Sequence, residues 1–222
     1  MGKSKATNIV RMESLRNRTP TGRRSATKVR KLVQYLAFGR GRPAEQKARQ
    51  QRGQWLDETG RKCSHEDVFQ WVIQQGKENM FTHQFILSVR DNPLTPEAFN
   101  RAMAAGGSLF SEWRLIQHED SRHPHAHALA FRQEEVRIKS EAFRAWWLRV
   151  RDALEQEQQL AQSQQREQQQ THEQTQQLEQ FPRQVTKEQM HQQERGDDLS
   201  TALDDNAPAN EQEQQHGFGW EL

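Results

Sequence analysis

The sequence predicts an α+β fold: an antiparallel β-sheet with flanking helices, followed by a polar helical or disordered C-terminal tail. Apolar residues cluster between Val29 and Leu154, and they alternate between helical and strand spacing in separate segments, which favours an antiparallel sheet. Hydrophobic residues make up only 32% of the chain, with 12 glycines besides, whereas about 45–50% is usual for a globular chain when glycine is counted. Part of the chain therefore lies outside a packed core.

Charge divides the chain into three parts. Residues 1–53 hold 15 Lys/Arg and 2 Asp/Glu, whereas residues 153–222 hold 4 and 14. We therefore predict a basic N-terminal arm (1–24), a folded domain (25–154) and a Gln/Glu-rich tail (155–222) that is either helical or disordered. A basic arm beside a neutral folded domain indicates a polyanionic partner.

The first predicted helix begins near Ser25 and is stopped by the glycines that start at Gly39. Its apolar positions follow the spacing i, i+3, i+4, i+7, i+8: Val29, Leu32, Val33, Leu36 and Ala37. Lys28, Lys31 and Tyr35 fall together on the opposite side of this helix.

A short hairpin and a second helix follow. The segment 54–63 is predicted to turn at residues 57–60. Ser64 is a good N-cap for a helix that ends near Gly76. The β-branched and aromatic residues of 82–90 then predict a strand.

Two further helices are predicted. Thr95-Pro96 is typical of a helix start, and this helix extends to about Ala105. Apolar residues at helical spacing from Ser140 to Leu154 predict the helix that closes the domain.

Four of the nine histidines lie in one segment of ten residues, 118–127. Residues 111–120 and 125–132 are predicted to form an antiparallel hairpin. Side chains two residues apart on a strand share a face, so His118 and Asp120 share one, and so do His125 and His127. A register that sets His118 opposite either of the other two brings the imidazoles together.

Three imidazoles on one face form a nitrogen cap that leaves open positions on a bound metal. Asp120 is then a fourth ligand or an acceptor that fixes the tautomer of a ligating histidine. His123, in the turn, is equally well explained as a ligand or as incidental. The alternative for the whole cluster is a solvated or hydrogen-bonded histidine-rich turn.

Tyr35 is the single tyrosine, so chemistry that needs a phenol has one candidate. Free phenols are protonated at neutral pH, and attack on phosphorus therefore requires neighbours that favour the phenolate. Lys28 and Lys31 supply positive charge, and a divalent ion on the phosphate withdraws charge from the electrophile. The alternative is a surface tyrosine that stacks on a base or covers the edge of the core.

Val33-Gln34-Tyr35-Leu36, followed by His118-x-Asp120 and then His123-Pro124-His125-Ala126-His127, resembles the relaxases (plasmid mobilisation nucleases) of the HUH endonuclease superfamily. Relaxases place the nucleophilic tyrosine on an early helix and the histidine motif later, which is the order in this chain. The resemblance covers roughly residues 26–154.

The resemblance implies a five-stranded antiparallel sheet flanked by helices. It also implies that Tyr35 attacks a backbone phosphate of single-stranded DNA at an origin of transfer, forming a 5′-phosphotyrosyl link. His118, His125 and His127 would then hold a divalent ion, Mg²⁺ or Mn²⁺, with Asp120 supporting a histidine. The chain departs from the family in having one tyrosine where several relaxases have more, and a long basic segment before it.

Basic residues around the first helix are the expected phosphate contacts, and we predict DNA binding by Lys28, Lys31, Arg40 and Arg42. The expected partners are single-stranded DNA at an origin of transfer and a conjugative coupling protein or relaxosome accessory protein. No window approaches the length of an apolar membrane span, so we expect a cytoplasmic protein without membrane insertion. The single Cys63 excludes an internal disulfide.

Two other functions fit parts of the pattern. Residues 123–129 approximate the motif of histidine-triad nucleotide hydrolases and transferases, in which the central histidine is the nucleophile and no metal is needed. The second alternative is a non-catalytic DNA-binding accessory protein with a structural histidine cluster. The basic arm, His118 and Asp120 count against the first.

Overall fold

The computed structural model describes residues 8–90, 94–118 and 125–193, and it confirms the predicted α+β class. Six strands form one antiparallel sheet: β1 (Asn8–Arg16), β2 (Trp55–Asp57), β3 (Lys62–Cys63), β4 (Phe81–Val89), β5 (Trp113–His118) and β6 (His125–Arg132). The helices are α1 (Thr27–Phe38), α2 (Pro43–Lys47), α3 (His65–Glu78), α4 (Pro96–Ala105) and α5 (Glu141–Gln193).

The strand order in the sheet is β1-β4-β6-β5-β2-β3. Strand β1 lies inside the segment predicted as a basic arm, and it pairs with β4 along its full length, from Asn8 opposite Val89 to Arg16 opposite Phe81. The sheet therefore has one strand more than the five that the family resemblance implies. The predicted hairpins are present as β2–β3 and β5–β6.

Helices cover both faces of the sheet. On one face α1 and α3 pack over the sheet through a buried cluster of Val29, Val33, Leu36, Trp55, Val68, Val72, Ile116 and Leu129. On the other face α4 and the first turns of α5 bury Phe85, Leu87, Phe99, Met103, Leu115, Phe143, Trp146, Val150 and Leu154. The alternation along β5 and β6 thus separates two cores, and the histidines point to the α1 side together with Ile116 and Leu129.

Helix α3 extends two residues beyond Gly76, where the sequence predicts its end. Gly76 is buried at the contact between α1 and α3, and a Cβ there would lie 3.0 Å from the Ala26 Cβ and 3.1 Å from a Val29 methyl. The residue is glycine because two helices approach closely, not because a helix stops. Ser64 caps the start of α3 as predicted and accepts a hydrogen bond from the Asp67 N–H.

The chain divides into two compact units, residues 1–168 and 169–222. Helix α5 continues past the predicted closing helix as far as Gln193, so the Gln-rich segment is helical over these residues. Within the second unit, residues 169–177 are helical and exposed. The described part of the chain contains no helix that is both long enough and apolar enough to cross a membrane.

His83 on β4 gives the first testable prediction, a loss of stability in acid. It is fully buried among the side chains facing α4 and α5, with Nδ1 2.8 Å from the Ser14 Oγ. Burial, assisted by the Arg132 charge, lowers the pKa of His83 from 6.5 to about 4. Only the unfolded chain protonates this residue between those values, so the free energy of unfolding falls as pH falls from about 6.5 towards 4.

The expected slope from this one residue is about 1.4 kcal/mol per pH unit. Urea denaturation at several pH values should show a flatter pH dependence for His83→Phe than for the wild type. His172→Gln, which changes an exposed histidine of α5, should leave the dependence as it is. Equal slopes for wild type and His83→Phe would contradict this assignment.

Candidate metal centre

Strands β5 and β6 bring three histidines to one end of the sheet. His118 ends β5 directly opposite His125, the first residue of β6, while His127 lies opposite Ile116. Because alternate residues share a face, all three imidazoles lie on the side covered by α1. The predicted convergence of His118, His125 and His127 is therefore confirmed.

The three side chains are close enough to bind one ion. Their ring centroids are 4.8 to 5.2 Å apart, and one nitrogen from each lies within 4.8 Å of the others. Two nitrogens that bind one ion at about 2.1 Å are at most about 4.2 Å apart, so the donor atoms move somewhat closer together when they share an ion. His118 and His127 are buried, and His125 is partly open to solvent.

The main chain of α1 fixes the ring of His118. The last carbonyls of a helix have no partner within the helix, and the Leu36 carbonyl accepts a hydrogen bond from His118 Nε2 at 2.7 Å. A carbonyl only accepts, so Nε2 carries the proton, and in the neutral form of the ring Nδ1 keeps the lone pair that a metal needs. The helix that bears Tyr35 thus ends against the histidine cluster.

His127 is held by a glutamine that the sequence did not single out. Gln84 on β4 is buried, and its amide nitrogen lies 3.1 Å from His127 Nδ1. The two amide atoms exchange places by a half-turn of the side chain. When Oε1 faces the ring it accepts the Nδ1 proton and leaves Nε2 free for a metal.

Burial keeps His127 neutral. Together with the nearby charges of His118, His125 and Arg52, which act in the same direction, it lowers the pKa of His127 from 6.5 to about 3. Metal ligands must be deprotonated to bind, and this imidazole meets that condition throughout the physiological range. The donor set fits a divalent transition metal, since imidazole nitrogens bind such ions whereas Mg²⁺ takes mainly oxygen ligands.

Tyr35 lies in the last turn of α1, off the buried face, with 40% of its surface exposed. It lines two cavities. The larger, of about 870 Å³, also has Lys31 and Arg40 in its wall, and the smaller, of about 440 Å³, has Arg40 and Arg52. Arg52 therefore neighbours the tyrosine cavity and is close enough to His127 to influence its pKa.

The four predicted DNA-binding residues are all exposed. Lys31 and Arg40 line the larger cavity with Tyr35, whereas Lys28 lies one turn earlier on α1 and Arg42 caps α2, both outside the cavity walls. Asp120 and His123 lie outside the described residues.

Two features of the centre were not predicted: Gln84 and the Leu36 carbonyl. Gln84 directly follows Thr82 and His83 in the segment 81–89, so no signal in the sequence distinguishes it from its polar neighbours. Comparisons of the chain with protein-family models, curated proteins and solved structures gave no match.

Proposed function

We propose that this chain is a relaxase of the HUH type, a metal-dependent endonuclease and strand transferase that nicks single-stranded DNA at an origin of transfer during plasmid mobilisation. One observation carries the proposal: the carbonyl of Leu36, the residue after Tyr35, accepts the hydrogen bond of His118. The helix that bears the single tyrosine of the chain therefore ends against the histidine cluster, some eighty residues later in sequence.

In the proposed reaction the Tyr35 oxygen attacks the phosphorus of a backbone phosphodiester. The bond from phosphorus to the phenolic oxygen forms, and the bond from phosphorus to the 3′ oxygen breaks. The phenol loses its proton, the leaving 3′ oxygen gains one, and a 5′-phosphotyrosyl link remains. One ester replaces another, so a 3′-hydroxyl can reverse the step and reseal the strand.

The residues of the site have separate roles in this reaction. His118, His125 and His127 would hold a divalent ion, which would supply Lewis-acid chemistry at the phosphate. Tyr35 is the nucleophile, and Lys31 and Arg40, which line the larger cavity with it, hold the phosphates. Asp120 keeps its proposed role as the acceptor that orients a histidine.

Exposed cations on and after α1 fit single-stranded DNA as the partner. Lys28, Lys31, Arg40 and Arg42 contact phosphates in this proposal, which positions the strand without reading its sequence. A coupling protein or a relaxosome accessory protein is the proposed protein partner, and the cytoplasm is the proposed site of action.

The test is to incubate the full chain with a labelled origin-of-transfer oligonucleotide and Mn²⁺, and then to look for a denaturation-resistant protein–DNA adduct. A relaxase forms the adduct, and EDTA prevents it. Chelator-resistant turnover of a small nucleotide would instead indicate the histidine-triad activity. DNA retention without an adduct under any metal condition would indicate an accessory protein and would contradict the proposed nicking.

A further inference from the structure

Three arginines surround the smaller cavity beside Tyr35. This cavity, of about 440 Å³, is lined by Tyr35, Phe38, Gly39, Arg40, Arg49, Gln50 and Arg52. Among the described residues that line it, three are cationic and none is acidic. A concave site of this charge fits an anion, and guanidinium groups match the geometry of phosphate oxygens in particular.

The guanidinium of Arg49 is held in place by the end of α1. It donates hydrogen bonds to the carbonyls of Phe38 and Arg40. Gly39 and Gly41 lie beside this guanidinium: a Cβ at Gly39 would be 3.7 Å from Arg49 Nη1 and one at Gly41 3.4 Å from Nη2, both at contact distance. A side chain that is already ordered loses less entropy when it binds a ligand.

The backbone of Arg52 is equally fixed. Its N–H donates to the Ala37 carbonyl at 2.8 Å, so it covers another open carbonyl of α1. The next residue, Gly53, packs so closely on β5 that a Cβ there would lie 2.0 Å from the Gln117 carbonyl oxygen. The segment therefore presents Arg52 from a rigid support, between the tyrosine cavity and the histidines.

The smaller cavity adjoins a surface suited to a polymer. Tyr35, Gly39 and Arg40 line both cavities. The larger one adds Lys31 and Arg30, whose guanidinium carbon lies 5.3 Å from the centre of the Phe69 ring. Cations in series beside an aromatic ring are typical of single-strand binding, where phosphates follow the charges and a base stacks on the ring.

We propose that Arg40, Arg49 and Arg52 form a phosphate-binding site that takes the backbone phosphate next to the one attacked by Tyr35. The identity of the ligand as a DNA backbone rests on the proposed function, whereas the affinity of the site for phosphate does not. Arg49 and Arg52 are the diagnostic members, because Arg40 also belongs to the larger cavity.

The experiment measures binding without chemistry, using the full chain carrying Tyr35→Phe. Fluorescence anisotropy with a labelled oligothymidylate gives the affinity over a range of NaCl concentrations. Removing one cation that neutralises a phosphate should lower the slope of log affinity against log salt by about 0.7, so Arg49→Gln and Arg52→Gln should each show this change and the double variant about 1.4. Arg144→Gln, which removes an exposed arginine of α5, should keep the parental slope.

Two further arms make the result decisive. If an arginine variant does not fold by circular dichroism, neutral methylphosphonate linkages in the oligonucleotide should reproduce the lower slope with unaltered arginines. Inorganic phosphate should displace the oligonucleotide better than chloride at equal ionic strength, and this difference should disappear in the double arginine variant; equal displacement by the two anions would contradict a phosphate site. Unchanged slopes of log affinity against log salt in both arginine variants would contradict the phosphate site itself. Absence of the covalent adduct in the wild type would contradict only the proposed nicking.

Discussion

Replacing Tyr35 with phenylalanine is expected to abolish the covalent protein–DNA adduct, a loss of at least about 10³-fold, because no other side chain in the chain offers a phenol. The substitution removes one oxygen and keeps the ring. The residue is 40% exposed and lies off the packed face of α1, so the fold should be unaffected. Denaturing gel electrophoresis with a labelled oligonucleotide and Mn²⁺ measures the adduct.

Binding measurements separate chemistry from affinity in this variant. The Tyr35→Phe protein should bind the oligonucleotide and Mn²⁺ as the wild type does, because the cations that bind phosphate and the imidazoles are intact. Mass spectrometry of the wild-type adduct should place the nucleotide on Tyr35. An adduct that persists in Tyr35→Phe would show that another nucleophile acts and would contradict the proposed mechanism.

The local parts of the site could be predicted because they depend on periodicity. Alternation along β5 and β6 fixes the common face of His118, His125 and His127 once the two strands pair. The spacing of apolar residues in α1 likewise separates Tyr35 from the buried stripe. Both inferences need only neighbouring residues, and the structure confirms both.

The parts that could not be predicted depend on pairing between distant segments. Gln84 reaches His127 because β4 pairs with β6, so that Gln84 lies opposite Leu129, diagonal to His127. Nothing within β4 or β6 alone sets that register. The position of Arg52 beside the tyrosine cavity likewise depends on a distant contact, the hydrogen bond from its N–H to the carbonyl of Ala37.

Strand β1 was not predicted, for a different reason. Arg11 and Glu13 are exposed positions on this edge strand, whereas Val10 and Met12 are buried in the core between the sheet and helices α4 and α5. The alternation of buried and exposed residues covers only Val10 to Glu13, and basic residues precede and follow it. The two-residue period of the strand is therefore hard to recognise in the sequence. Pairing with β4 decides the outcome, since it satisfies the backbone of the whole segment.

His127→Ala is expected to lower the affinity for Mn²⁺ by at least about 100-fold, because it removes one of the three nitrogen donors of the centre. Isothermal titration calorimetry of the full chain measures this loss directly, and the adduct should disappear with it. His172→Ala, at an exposed position of α5, is the matched control and should bind Mn²⁺ normally. A His127→Ala protein that folds and keeps wild-type affinity would exclude this cluster as the metal site.

Gln84→Leu tests how the centre is built, since it leaves all three donors in place. The substitution removes the partner of His127 Nδ1, so the ring no longer has a fixed tautomer and orientation. The expected loss of Mn²⁺ affinity is about 10–100-fold, smaller than for His127→Ala, and Gln84→Glu should restore binding because a carboxylate accepts the same proton. If Gln84 were merely a buried packing residue, leucine would be tolerated and glutamate would not, which is the reverse order. The ranking of these two variants therefore distinguishes an organised metal centre from three histidines that share a face by chance.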